Sequence, residues 1–217
     1  MTMKNAGRRL FGRGVFMTGW TNAGACVLLG VAVYFMSKVY DLLNHGPAVL
    51  NLRTPLDDAL PVVGVFVIPY VSLEPVIYFS LIVFLIFRSR IFQSACLSAL
   101  FAWAVSYAFY FFLQTVVVRP VLTGGDLFST MIRAVYAGDN PYNDFPSLHT
   151  SLSTIMAVHW WRTDRRLGII AGAWTVLIVA STVLIKQHYV ADVASGLLLA
   201  WGASWLSARL LPRERVR

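Results

Sequence analysis

The chain has 217 residues, 58% of them hydrophobic and only 13% charged, with a mean hydropathy of +0.66. A soluble domain carries roughly a quarter charged residues; here the apolar residues fall in blocks near the ~20 residues that cross a bilayer, so a soluble globular fold is excluded. The net charge of +8 would raise nucleic acid in a soluble chain, but the basic residues flank apolar blocks without a basic stripe or base-stacking pattern, so nucleic-acid binding is not expected.

The first predicted span covers residues 20–37 and starts at Trp20, an interfacial aromatic. Lys4, Arg8, Arg9 and Arg13 precede it, and the run is long for a signal peptide, so it reads as a retained span. A polar connection over 38–58 holds His45 and the pair Asp57 and Asp58, which read as caps of a short interfacial helix. The next apolar block, 60–87, is broken by Pro61, Pro69 and Pro75, which predicts a re-entrant or interfacial lead-in and then a span ending at Phe87. Glu74 lies near the start of that span, where it either faces a site or reaches water.

A third span is predicted over 91–118, ending at Arg119-Pro120. In the polar segment that follows, 119–146, Leu127, Phe128, Met131, Ile132, Val135 and Tyr136 recur at helical spacing and predict a short helix in the membrane interface. The fourth span, 147–161, is short for a crossing, which would place His149 below the headgroup plane. Spans over 167–185 and 189–208 complete six. His159 reads as a helix-packing hydrogen bonder, and Cys26 and Cys96, inside apolar blocks, as inert thiols.

Six spans put both termini on one side, and the charges agree. Thirteen of the 18 basic residues lie on that side; only Lys38, Arg53, Arg119, Arg133 and Lys186 lie opposite. Acidic residues reverse the bias, with Asp164 and Glu214 alone on the terminal side. The positive-inside rule then places both termini in the cytoplasm, in an inner plasma membrane. Residues 1–217 are expected to form one integral membrane catalytic domain.

Three polar clusters reach the opposite, extracytoplasmic face: Arg119-Pro120, Pro-Ser-Leu-His-Thr at 146–150, and Lys-Gln-His-Tyr-Val-Ala-Asp at 186–192. His188 and Asp192 are four apart, which on a helix stacks them and lets the carboxylate orient the imidazole. Together the clusters suit phosphoryl transfer. His188 would be the nucleophile, His149 the general acid, and Arg119 and Lys186 the cations on the equatorial oxygens, with Ser147 and the amides opening span four as further donors. No metal-ligand spacing appears, and no cofactor is expected.

These residues resemble the type 2 phosphatidic acid phosphatases, which share their site with the vanadium haloperoxidases. Arg119-Pro120 matches the end of the first motif of that family, Pro146, Ser147 and His149 its Pro-Ser-x-His, and Ser181, His188 and Asp192 its third motif. Two phosphate-binding cations of the family are replaced, by Phe112 and Thr182. Lys186, four residues after Thr182, is one helical turn away and would supply the missing charge. The Lys-Gln-His-Tyr variant is similar to inositol phosphorylceramide synthases, and His-Tyr-x-x-Asp-Val to sphingomyelin synthases. The resemblance implies a metal-independent lipid phosphatase working through a phosphohistidine on a lipid phosphomonoester or pyrophosphate, or a phosphotransferase passing a phosphorylated headgroup to an acceptor lipid. A transporter with Glu74, His149 and Lys186 as its pathway would need polar residues through the membrane depth, whereas the charges cluster at one face.

Overall fold

A computed structural model of the chain describes Val15, residues 19–48 and residues 50–211. Lys4, Arg8, Arg9, Arg13, Arg213, Glu214, Arg215 and Arg217, which carry much of the charge asymmetry, lie outside the described residues. The helices are α1 (Trp20–Leu43), α2 (Pro55–Ala59), α3 (Val67–Val71), α4 (Leu73–Phe87), α5 (Ser89–Phe112), α6 (Leu127–Gly138), α7 (Leu148–Thr163), α8 (Arg165–Leu184) and α9 (Val190–Leu210). Among the described residues there is no strand, only isolated bridges pairing Leu50 with Thr115 and Val116 with Tyr142.

Among the described residues, five stretches are long and apolar enough to cross a membrane: Trp20–Leu43, Gly64–Phe87, Ser89–Phe112, Arg165–Leu184 and Val190–Leu210. The chain is an all-helical membrane protein. The fourth predicted span, 147–161, corresponds to α7, whose 16 residues reach only about 24 Å at ~1.5 Å per residue.

Two expectations about the helices change. The lead-in before α4 is nearly continuous with it: a 3-10 turn at Gly64–Phe66 runs into α3, which joins α4 through Ser72. Pro69 and Pro75 each fall in the first turn of a helix, where the missing N–H has no helical partner to lose. The third span ends at Phe112, not Val118. The β-branched run Thr115-Val116-Val117-Val118 favours extended backbone, and its amides bond sideways, Val116 N to Leu50 O at 3.0 Å and Val117 N to Pro141 O at 3.1 Å.

Helix α7 sits at the centre, packed on α8, α9, α5 and α4. Small residues let α5 come close: Ser94, Ala95, Ser98, Ala99, Ala102 and Ser106 are all buried. At the end of the bundle near the start of α5, His159 bonds Ile155 O through Nδ1 at 2.8 Å and approaches Ser94 Oγ through Nε2 at 3.1 Å, as a packing histidine should. Cys26 and Cys96 are buried free thiols. Helix α1 packs on α5, and a cavity separates it from α4.

Candidate active site

The site lies where α1, α5 and α8 end and α4, α7 and α9 begin. Ser147 caps α7, its Oγ accepting from Thr150 N at 3.2 Å while its own N–H donates to Asp192 O at 3.1 Å. The start of α7 is thereby fastened to the first turn of α9. Close approach at this seam needs Gly196, since a Cβ there would stand 2.7 Å from Ser147 O.

His149, in the first turn of α7, lies flat against Tyr70, with ring centroids 4.2 Å apart. Its other neighbour is His188, 5.9 Å away between centroids and tilted by 59°. The predicted pair is therefore brought together from two separate helix junctions.

His188 precedes α9 instead of lying on a helix. Beyond the end of α8 the chain folds back, and the amides of Gln187 and His188 both donate to Thr182 O, at 2.9 and 3.0 Å. Asp192, at the third position of α9, accepts from Tyr189 N at 2.8 Å through Oδ2. The same oxygen stands 3.6 Å from His188 Nδ1. The expected stacking on one helical face gives way to a pairing across a helix N-terminus, because Tyr189 is extended. Asp192 is fully buried and His188 nearly so. Neither His188 Nδ1 nor Asp192 Oδ1 has a hydrogen-bond partner, so a small closure would complete the bond.

Arg119 is on the extended strand-like segment after α5, held over the Tyr136 ring at 4.8 Å. Its Nη1 donates to Asp139 O at 2.6 Å and Tyr136 O at 3.2 Å, and its Nη2 to Asn140 O at 3.3 Å and to the side-chain oxygen of Gln187. Gln187 thus ties the guanidinium to the residue beside His188. Burial pushes the Asp139 carboxyl up from its ordinary range, against the pull of Arg119, and pushes that of Asp144 well up, with Asp192 adding to the effect.

Lys186 is placed differently from the helical-turn expectation. Helix α8 ends at Leu184, and Lys186 has a left-handed φ of 56°, so its side chain does not follow Thr182 up one face. Its Nζ donates to Asp57 O at 2.7 Å and Leu60 O at 2.6 Å. The capping role read for Asp57 holds: it forms a capping box with Thr54 at the start of α2. Asp58 pairs with Arg53 at 2.5 Å.

A cavity of about 730 Å³ opens from this junction. Tyr70, Asp139, His149 and His188 line its head, and Leu73, Ile77, Leu81 and Leu85 of α4 line one side. Gly30, Val33 and Tyr34 of α1 face them, Lys38, Asp41 and Glu74 also border the space, and Phe92 and Trp103 line its α5 wall. Among the described residues, no group of three His, Cys, Asp or Glu side chains gathers as a metal site.

Residues 45–206 match the PAP2 superfamily. The chain belongs to the PAP2 superfamily. This match takes in all three motifs, and PAP2 superfamily members are generally phosphoric ester hydrolases. An uncharacterized protein of Methanocaldococcus jannaschii is 34% identical over 61 residues, 28% of this chain and 25% of that protein. The chain therefore spans about a quarter of the length of this relative. No solved structure matches this PAP2 superfamily member.

Sequence reasoning missed Tyr70, stacked on His149, and Gln187, bonded to Arg119, as parts of the candidate site. Tyr70 lies inside an apolar block with nothing to mark it, whereas Gln187 stands next to His188 and its position alone could have singled it out.

Proposed function

We propose that this chain hydrolyses a lipid phosphomonoester or pyrophosphate through a phosphohistidine on His188. One observation carries the reading: two imidazoles 5.9 Å apart, one beside a buried carboxylate, at the head of a cavity with apolar walls. Asp192 faces Nδ1 and holds the tautomer that leaves Nε2 free to attack phosphorus. As the bond from phosphorus to the leaving oxygen breaks, His149 gives that oxygen a proton. In the second step His149 takes a proton from water as its oxygen attacks the phosphohistidine, which releases His188 and inorganic phosphate. Arg119 steadies the charge on the equatorial oxygens, and the open amides at the start of α7, capped by Ser147, add donors. Acyl or prenyl chains would occupy the space between α1 and α4 while the phosphate sits at the histidines.

In this reading α7 is the short fourth of six spans, α6 lies in the membrane interface, the termini are cytoplasmic and the site opens on the extracytoplasmic face. Reversing the thirteen-to-five charge bias by mutation would invert the protein, and protease accessibility of a terminal tag reads that directly.

A second reading, transfer of a phosphorylated headgroup to an acceptor lipid, draws support from charge. Phe112 and Thr182 replace two cations of the family, Lys186 is engaged with carbonyls, and Asp139 and Asp144 flank Arg119. A phosphodiester monoanion needs less compensation than a phosphomonoester dianion. Purified protein in chelator, incubated with a panel of lipid phosphates with and without acceptor lipid, separates the two. Free phosphate lost in His188→Ala supports hydrolysis; a new phospholipid without free phosphate supports transfer. Neither product from any substrate would sink both.

A further inference from the structure

Asp57 and Lys186 stand apart from the cavity, yet their bonds converge on the residues either side of His188. Thr54 caps α2 and Pro55 opens it, so the carboxylate of Asp57 folds back on Thr54: its Oδ2 accepts from Thr54 N at 2.8 Å and from Thr54 Oγ1 at 2.6 Å. Such a cap ordinarily faces water, as Asp58 does, but Asp57 is only 5% exposed. Its second oxygen accepts from the amide of Val190, the first residue of α9, at 2.8 Å. The carbonyls of Asp57 and Leu60, left open where α2 ends, receive the Lys186 ammonium. Val63 N adds a bond to Leu184 O at 3.0 Å.

Four bonds from one short segment therefore hold positions 184, 186 and 190, with His188 between them. We propose that Asp57 and Lys186 are positioning residues that fix the loop carrying His188, and that Lys186 serves the site by this tether instead of by contact with phosphate. The left-handed φ of Lys186 fits the assignment, since a lysine has no intrinsic preference for that region and its anchored side chain holds it there. Asp57 works alongside Asp192, whose Oδ2 takes the neighbouring Tyr189 amide. One carboxylate thus secures each of the first two amides after His188.

The inference rests on His188 being the nucleophile, and its test keeps the two apart. Lys186→Met, Lys186→Arg and Asp57→Asn are purified, and kcat, KM and inhibition by inorganic phosphate are measured on the best lipid substrate. A tether predicts that Lys186→Met loses kcat by about tenfold or more, because small misplacement of a reacting group is costly, while KM and inhibition by inorganic phosphate stay within about twofold. Lys186→Arg, which donates to both carbonyls, recovers most of the loss. Asp57→Asn lowers kcat in the same way, since an amide cannot accept from Thr54 and Val190 together. Should Lys186→Met aggregate, Lys186→Gln reads the same split. Weakened inhibition by phosphate would make Lys186 a phosphate ligand, and an unchanged kcat would remove the tether; either overturns the proposal.

A readout independent of turnover is the rate at which diethyl pyrocarbonate modifies His188, with exposed His45 as internal reference. The rate ratio shifts in Lys186→Met if the loop is loosened, and an unchanged ratio contradicts the tether. If the wild type turns over no lipid phosphate, the nucleophile reading fails by itself, and this ratio still decides the tether.

Discussion

Tyr70 lies flat on His149, the planes 15° apart and the ring centroids separated by 4.2 Å. The stack comes from the first turns of the second span and fixes one face of the imidazole, while His188 approaches another side. Since an aromatic pair contributes roughly 0.5–1.5 kcal/mol beyond its buried area, removing it frees the His149 ring, proposed as the general acid. Tyr70→Ala is expected to lower kcat by about tenfold with KM little changed, and Tyr70→Phe to retain most activity. Steady-state kinetics of both variants check this.

Leu81 lies one turn below Ile77 on the α4 wall of the cavity. Leu81→Trp would fill the space where a lipid chain is placed. Turnover of a long-chain lipid phosphate should fall sharply, while a short-chain, water-soluble phosphate ester keeps its rate. Equal loss on both substrates would show that the chain lies elsewhere.

Gly196 allows α9 to meet α7, and an added Cβ would stand 2.7 Å from Ser147 O and 2.9 Å from Thr150 Cβ. Backbone atoms cannot yield as a side-chain tip can, so Gly196→Ala should destabilise by ~1–3 kcal/mol. It should also slow turnover, because the same shift separates Asp192 from the start of α7. A melting curve together with an activity assay measures both effects.

How much of this was legible beforehand differs by residue. The three motif clusters do converge at one end of the bundle, because helix count and loop order force Arg119, His149 and His188 to the same side. The His188–Asp192 geometry was readable as proximity only, since the extended Tyr189 that replaces a helical turn leaves no periodic signal. Lys186 misled because the turn rule applies only within a helix, and α8 stops before it. The end of α5 was overextended by six residues: apolar composition cannot tell a helix from a β-branched extended run. Tyr70 and the Asp57 bonds depend on contacts between segments distant in sequence, which local pattern and spacing do not encode.

Burial lifts the carboxyl of Asp144 well above its ordinary range, with the nearby Asp192 charge as the next cause. A folded-state value raised above the unfolded one means that the folded protein binds the proton more tightly. The destabilising effect is absent below the unfolded carboxylate range and grows as pH rises from there toward the folded value. Asp144→Asn removes the titration, so its melting temperature should exceed that of wild type by a widening margin as pH rises from about 4. A constant difference across pH would contradict the assignment.

The most direct test of the mechanism is a rapid quench at alkaline pH with a lipid labelled in its phosphate, followed by mass spectrometry of the digested protein. The account predicts label on His188, none in His188→Ala, and retained label in His149→Ala when the substrate carries a leaving group that needs no proton. Turnover with no phosphorylated histidine, or with label on a residue other than His188, would contradict it.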